Sequence, residues 1–310
     1  MEPSRNLVLV HSEGWQSVAD FEAIKGFVEE MAPDIEVFIA SNDAPSSYTR
    51  KKAASRPALI FSPIRLQRFK PDRGRIYQGQ PMSKLVEVQR LAAAGVPVPP
   101  FEEIGPDTVL SPEIYGPLAV VKPSYPFASW GQGVELQHSD KIRYRQPGDY
   151  PSGHPGRQGP MIAQKFVDCG HAMTCRVLTL FGETIFTFGR ESTRPLALDL
   201  TKETYEVADF MPAPPDVFVY ATHEPDILAL AAEAYRAMPE VALQACDILR
   251  AQTGELYIIE VNPGGGTWMF SSKLADRYRE RLGVESLTAE FDAFRTCARL
   301  LVERTRAEAE

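Results

Sequence analysis

Residues 258–268 read IIEVNPGGGTW, an apolar run that ends on two oxygen-bearing side chains and then on glycine. Residues two apart in a strand point to the same side, so Glu260 and Asn262 face one cavity while Ile259 and Val261 face the other way. That arrangement suits a hard cation such as Mg2+. A Glu-x-Asn triplet alone is weak evidence, and a third oxygen strengthens it. Asp247 ends an apolar stretch (residues 241–243 and 245–246) and is separated from Glu260 by a turn at Thr253-Gly254. An antiparallel hairpin there would bring Asp247 alongside Glu260. Two carboxylates about 4 Å apart repel by roughly 4 kcal/mol at an effective dielectric of about 20, so such a pair wants a cation between them. Mg2+ held this way usually completes its shell with phosphates.

The phosphate side is sought among lysines and glycines. Lys122 ends the run LAVVK, and the segment after it contains Ser129, Gly131 and Gly133, whose backbone N–H groups can face an anion. This is neither a Walker A loop, since no GKS or GKT follows, nor a dinucleotide fingerprint, since no G-x-G-x-x-G opens a helix after a strand. A second lysine, Lys84, opens a strong helical pattern at residues 83–94, with Ser83 as cap and Gly95 as stop. Val96-Pro-Val-Pro-Pro stiffens the exit and marks a boundary near residue 100.

The elements that position these groups alternate. Residues 6–11, 35–40 and 57–61 read as strands and 18–31 as an amphipathic helix, which predicts a small parallel βαβ layer with a loop at 43–55. The second half is richer in strands, at 118–122, 161–167, 176–181, 184–188 and 256–261, with a hairpin at Gly182-Glu183. Residues 143–159 are polar and Pro/Gly-rich, which predicts a mobile flap or a disordered tip. Residues 227–238, 274–281 and 287–304 read as helices.

Composition narrows the classes. The chain has 310 residues, 44% apolar and 24% charged, enough for a large core and two or three subdomains. No apolar run approaches membrane-spanning length and no signal peptide is legible, so the expected compartment is the cytoplasm. A net charge of -8 argues against broad capture of nucleic acid. Cys169, Cys175, Cys246 and Cys297 form no CxxC pair and read as core thiols.

Taken in order along the chain, these pieces resemble the ATP-grasp superfamily, especially carboxylate-amine ligases of the RimK-like and D-alanine–D-alanine ligase types. The resemblance covers residues 76–270. It rests on Ser83-Lys84 with its G-x-P-x-P exit, Lys122-Pro123 before the glycine loop, a hinge strand Gln164-Lys165-Phe166-Val167, Arg176 and Arg190 after it, and the set Asp247, Glu260 and Asn262. It implies an α/β ATP-grasp fold at 83–310 preceded by a Rossmann-like βαβ domain at 1–82, with a small ATP-lid subdomain at about 116–167 and a C-terminal metal-bearing subdomain at 168–310. It also implies roles. Lys84 and Lys122 hold the α and β phosphates, and the loop with Ser129, Gly131 and Gly133 covers the β and γ phosphates. Gln164, Lys165, Phe166, Val167 and Ile259 line the nucleotide site. Asp247, Glu260 and Asn262 bind two Mg2+ ions, or Mn2+, and Arg176 and Arg190 stabilise the transferred phosphoryl group and an acyl phosphate. The implied reaction is ATP plus a small carboxylate, an amino acid or peptide, giving an acyl phosphate that an amine attacks. A homodimer is compatible with the family.

The sequence also departs from that pattern. Thr174 stands where relatives often carry an acid, leaving the ribose contact to Asp168 or to nothing legible. The segment after Asn262 differs from the usual N-S-x-P-G, so the acid and amine are not transferable. Gly265 would let a backbone lie close to substrate, Trp268 would wall the pocket, and Arg194 would clamp a substrate carboxylate. Packing for Trp268 and a surface role for Arg194 are the alternatives. A phosphotransferase and a nucleotide-binding regulator without turnover are the competing functions on the same scaffold.

Overall fold

A computed structural model describes residues 2–125, 131–212, 216–263 and 267–310. Near the N terminus, β1 (Arg5–His11), β2 (Ile35–Ser41), β3 (Ala58–Phe61) and β4 (Arg75–Tyr77) form a parallel sheet in the order β2-β1-β3-β4. Helix α1 (Val18–Met31) starts where the Ser17 side chain accepts the Ala19 N–H, and it buries Phe21, Ile24 and Val28. The loop expected at 43–55 contains a short helix, α2 (Ser47–Ala53), capped by Ser46. Its polar face hid it, because only Ala53 is buried.

Helix α3 (Lys84–Ala93) follows, capped by Ser83 as the sequence predicts. A second, four-stranded sheet has the order β5-β8-β6-β7, from β5 (Phe101–Glu103), β6 (Leu118–Pro123), β7 (Glu135–His138) and β8 (Met161–Lys165), with the one-turn helix α4 (Pro112–Tyr115) beside it. The stretch 143–159 is folded rather than a disordered tip. Tyr150 is buried and stacks on His154 at 4.7 Å between ring centroids, and Arg157 Nη1 donates to the Tyr150 carbonyl at 2.8 Å. One aromatic with tight Pro and Gly turns suffices to anchor a segment poor in aliphatic residues.

The third sheet carries the candidate site. It is antiparallel in the order β11-β10-β9-β12-β13, formed by β9 (His171–Leu180), β10 (Glu183–Pro195), β11 (Val217–Tyr220), β12 (Leu243–Arg250) and β13 (Leu256–Asn262). One face packs Val177, Cys175, Cys246, Ile248, Ile258 and Val261 against α6 (Pro225–Ala237) and Leu91 of α3. The opposite face is apolar only at one end, where Leu178, Phe186 and Ala245 join a core with Phe21 of α1, Trp268, Phe270 and α8 (Ala293–Glu308). The other end of that face is polar. Two further helices complete the chain order, α5 (Val207–Phe210) before β11 and α7 (Ala275–Leu282) after β13, the latter stopped by Gly283 in the left-handed region at φ 67°. Helix α8 begins at Ala293, not near 287. Cys175, Cys246 and Cys297 are buried and Cys169 partly so, all as free thiols. Among the described residues no helix is long and apolar enough to cross a membrane.

Candidate active site

Register builds the site. Glu260 pairs directly with Asp247, Asp247 with Arg176, and Arg176 with Phe188, so these four side chains form one row across β13, β12, β9 and β10 on the same face. The hairpin predicted from Thr253-Gly254 thus brings the two carboxylates side by side. Each has its own cation. Arg176 grips Asp247 through Nε and Nη2, both at 2.6 Å, a bidentate pair, and Lys84 pairs with Glu260. Burial alone would lower the Arg176 pKa, but the adjoining Asp247 carboxylate holds it above the ordinary arginine range.

Lys122 ties the second sheet to the row. Its ammonium donates to the Gln164 side-chain oxygen at 2.9 Å and to the Ile259 carbonyl at 2.8 Å. That carbonyl is available because β13 bulges: Glu260 faces Asp247 and Ile258 faces Ile248, leaving Ile259 without a partner opposite. Lys122 is buried, which draws its pKa down to about 8 against the pull of Glu260. Burial would raise the Glu260 pKa, yet Lys84 and Lys122 outweigh it and keep the carboxyl below its usual value.

One residue of this cluster was not singled out from the sequence. Glu87, one helical turn after Lys84, is 2% exposed and accepts the Val261 N–H. Burial, with the like charge of Glu260, pushes its carboxyl up to about 8. Two neighbouring carboxyls are therefore driven apart, Glu260 ionised and Glu87 protonated near neutral pH. The available signal was the i, i+3 spacing from Lys84, on a face adjoining the buried Val88. The Glu87→Gln variant, which keeps an acceptor for Val261, should fold with near wild-type stability, while Glu87→Ala should lose about 1–3 kcal/mol in chemical denaturation. A carboxyl with a raised folded pKa binds more protons in the folded state, so wild-type stability should fall relative to Glu87→Gln as pH rises from 5 towards 8. A constant difference across that window would refute the assignment of a protonated Glu87.

Other expected residues are placed as follows. Gly131 and Gly133 take φ values of 72° and 69°, and a Cβ on Gly133 would lie 3.0 Å from the His154 ring, so Gly133 lies against the 143–159 segment. Ser129 and Gly265 lie outside the described residues. The hinge strand ends at Lys165, which is exposed, with Phe166 and the buried Val167 in the following loop. Arg190, two positions beyond Phe188 on β10, donates to the Pro212 carbonyl at 2.8 Å and has no carboxylate partner among the described residues. Asp168 accepts from Gly170 N at 2.8 Å and Gln252 Nε2 at 3.0 Å, which occupies it in a loop contact.

Two substrate expectations are corrected. Trp268 does not wall a pocket: it is 1% exposed, stacked on Phe21 at 5.6 Å, with Nε1 donating to Asp20 at 2.7 Å. Its large apolar area is worth more in the core than at a wet surface. Arg194 sits at the far end of β10, with 74% of its side chain exposed, paired with Asp216 at 2.6 Å.

Asp247, Glu260 and Asn262 are the residues that would hold a divalent cation. All three offer hard oxygen donors, and among the described residues the buried amide nitrogen of Asn262 has no hydrogen-bond partner, a donor left over that suits an acceptor such as a phosphate oxygen beside the cation. No cluster of three or more His, Cys, Asp and Glu in ligating arrangement occurs among the described residues, the third member here being an amide.

No protein-family model matches the sequence, and no curated protein does. Solved structures do match. A RiPP-associated ATP-grasp ligase of Chryseobacterium gregarium, solved with ADP and a leader and core peptide, superposes with a TM-score of 0.57 over 97% of each chain at 13% identity. The chain has the ATP-grasp fold. The macrocyclase MdnC of Microcystis aeruginosa, solved with the precursor peptide MdnA, gives a TM-score of 0.53 over 96% of this chain and 99% of its own at 14% identity. The D-cycloserine synthetase DcsG gives 0.52 over 97% and 99% at 15% identity. The ATP-grasp scaffold thus presents the Glu260–Asp247–Arg176 row between its five-stranded sheet and the sheet that supplies Lys122.

Proposed function

We propose that the protein is an ATP- and Mg2+-dependent ligase that joins a carboxylate to an amine through an acyl phosphate. The observation that carries this reading is the in-register row of Glu260, Asp247 and Arg176 with Lys84 and Lys122 converging on it from two other elements. Lysines at that place suit the α and β phosphates, and the second sheet with the glycine loop suits a lid over the β and γ phosphates. Asp247, Glu260 and Asn262 would hold Mg2+, which when bound supplies charge to the phosphates.

Arg176 and Arg190, the latter without a carboxylate partner among the described residues, are set to stabilise charge on the transferring phosphoryl group. A substrate carboxylate oxygen attacks the γ phosphorus and ADP leaves with the bridging oxygen. The amine then attacks the acyl carbon, phosphate departs, and the amine gives up a proton. Arg176 is locked to Asp247, so its guanidinium is oriented before substrate binds. Peptides are among the acids to test, because similar folds have been solved with peptide substrates.

The test is ADP and phosphate release with ATP and Mg2+ across pooled amino acids, peptides and small carboxylates, with and without an amine. Release that requires both an acid and an amine, with a condensed product mass, is expected. A stable phosphorylated product without amine would replace the ligase with a phosphotransferase, and nucleotide binding without release in any pool would favour a regulator.

A further inference from the structure

Charge is distributed unevenly along the chain. Residues 47–75 hold nine lysines and arginines and one acid, Asp72, whereas the rest of the chain has 24 basic residues against 40 acidic ones. The fold gathers this basic stretch on one surface. Alternation along β1 sends Leu7 and Leu9 to the core shared with α1, α8 and the five-stranded sheet, and Val8 and Val10 to the opposite face. Helix α2 and the loop between β3 and β4 cover that opposite face, where Ala53, Leu66 and Phe69 join one apolar cluster. Asn42 Oδ1 accepts the backbone N–H groups of Gln67, Arg68 and Phe69 at 2.9, 3.2 and 3.3 Å, which straps the loop to the end of β2. Arg50 Nε of α2 lies 3.2 Å from Asp72 of the loop. The basic side chains of helix and loop therefore stand side by side, on the face of the N-terminal sheet turned away from the Glu260–Asp247–Arg176 row.

Few carboxylates neutralise them. Asp72 is taken by Arg50, and Glu36 by Lys52 and Arg56. Lys51, Arg65 and Lys70 are exposed and make no ion pair and no side-chain hydrogen bond among the described residues. Arg68, also exposed, donates only to the Asp43 carbonyl, at 3.1 Å. Clustered cations without acid partners set up a local positive potential that draws in an anionic partner. The border of the patch limits that partner. Glu36 and Asp34 lie at one edge, Asp43 with the exposed Glu13 at another, and Glu308 beside Arg75 at a third. A long polyanion such as nucleic acid would run past the patch onto these carboxylates, whereas a short acidic segment ends before it meets them.

We propose that this face of the N-terminal domain docks a short acidic segment of a partner protein. Helix α2 is about 10 Å long, and helix and loop side by side give a patch roughly 20 Å across. That is the reach of about six extended residues. Lys51, Arg65 and Lys70 are the cations free to meet its carboxylates, and Arg68 adds a guanidinium. The surface lies apart from the candidate active site, so the inference stands whether or not the ligase reading does.

Fluorescence anisotropy with labelled hexaglutamate and hexaglutamine peptides tests this on the full chain without nucleotide. At about 50 mM salt hexaglutamate should bind about tenfold or more tighter than hexaglutamine, and the difference should shrink severalfold at about 500 mM, where exposed charges are screened. Lys51→Glu, Arg65→Glu and Lys70→Glu together should abolish the preference, with the thermal midpoint unchanged because all three side chains are exposed. The milder set Lys51→Gln, Arg65→Gln and Lys70→Gln should remove most of it. Charge reversal at Lys141, Arg145 and Arg236, exposed residues elsewhere, alters net charge equally and should leave the preference in place. No preference at low salt, a preference untouched by the first triple variant, or one lost equally in the control variant overturns the proposal. An oligothymidylate of equal charge that binds as tightly as hexaglutamate through Lys51, Arg65 and Lys70 overturns the protein partner in favour of nucleic acid.

Discussion

Glu260→Gln should reduce turnover roughly a thousandfold, the loss of one centrally placed electrostatic group at the proposed phosphoryl-transfer site. Glu260 does two things in this geometry. It is one of the three oxygen donors in register with Asp247, and it is the negative charge on which Lys84 and Lys122 both lean. The amide keeps shape and volume but removes the charge, so the two ammonium groups are left facing each other. Lys122, already drawn to about 8 by burial with Glu260 opposing, should fall further without that carboxylate. The sign follows: a lysine with a lowered pKa loses its proton as pH rises, so ATP affinity of the variant should weaken between neutral pH and about pH 8 more steeply than that of the wild type. Steady-state ADP release at saturating Mg2+ and nucleotide titrations at two pH values measure both effects. Turnover within tenfold of wild type would sink the metal and phosphate assignment together.

Arg176→Met should cost both stability and rate. Its two bonds to Asp247 are charge-assisted, and Asp247 is mostly buried with the guanidinium about a third exposed, so solvent screening limits the loss to about 2 kcal/mol. On the proposed ligase reading, turnover should drop roughly a hundredfold to a thousandfold, because the charge proposed to face the transferring group is gone. Arg176→Lys separates the two roles. A point charge restores part of the pairing with Asp247 without the planar fork, so the denaturation midpoint should recover more than kcat does. Full recovery of kcat by lysine would show that orientation by Asp247 contributes nothing to the chemistry.

Much of this site was legible because its residues obey local periodicities. The alternation of a strand places Glu260 and Asn262 together, the turn at Thr253-Gly254 returns Asp247 to Glu260, and the cap at Ser83 sets Lys84 at a helix start. Cap and turn chemistry act over a few residues, so the sequence shows them directly. The short polar helix α2 and the fold of residues 143–159 were not legible, because neither announces itself by apolar count.

Trp268 and Glu87 mark the boundary between the two kinds of knowledge. Nothing local distinguishes a tryptophan that lines a cavity from one that fills a core. Its neighbours decide, and Phe21 and Asp20, which settle the matter, lie far away in the chain. Glu87 goes unremarked in the sequence until α3 is laid against β13, where desolvation keeps it protonated and the Val261 N–H becomes its partner. By itself the sequence determined most of the longer elements, the hairpin that returns Asp247 to Glu260, and which oxygen and nitrogen groups could share a cavity. Only the tertiary structure decided which charges pair, Arg176 with Asp247 and Lys84 with Glu260, and that Arg190 has no acid partner among the described residues. Pairing and desolvation depend on distances between elements remote in sequence, and those distances are set by how the sheets and helices pack.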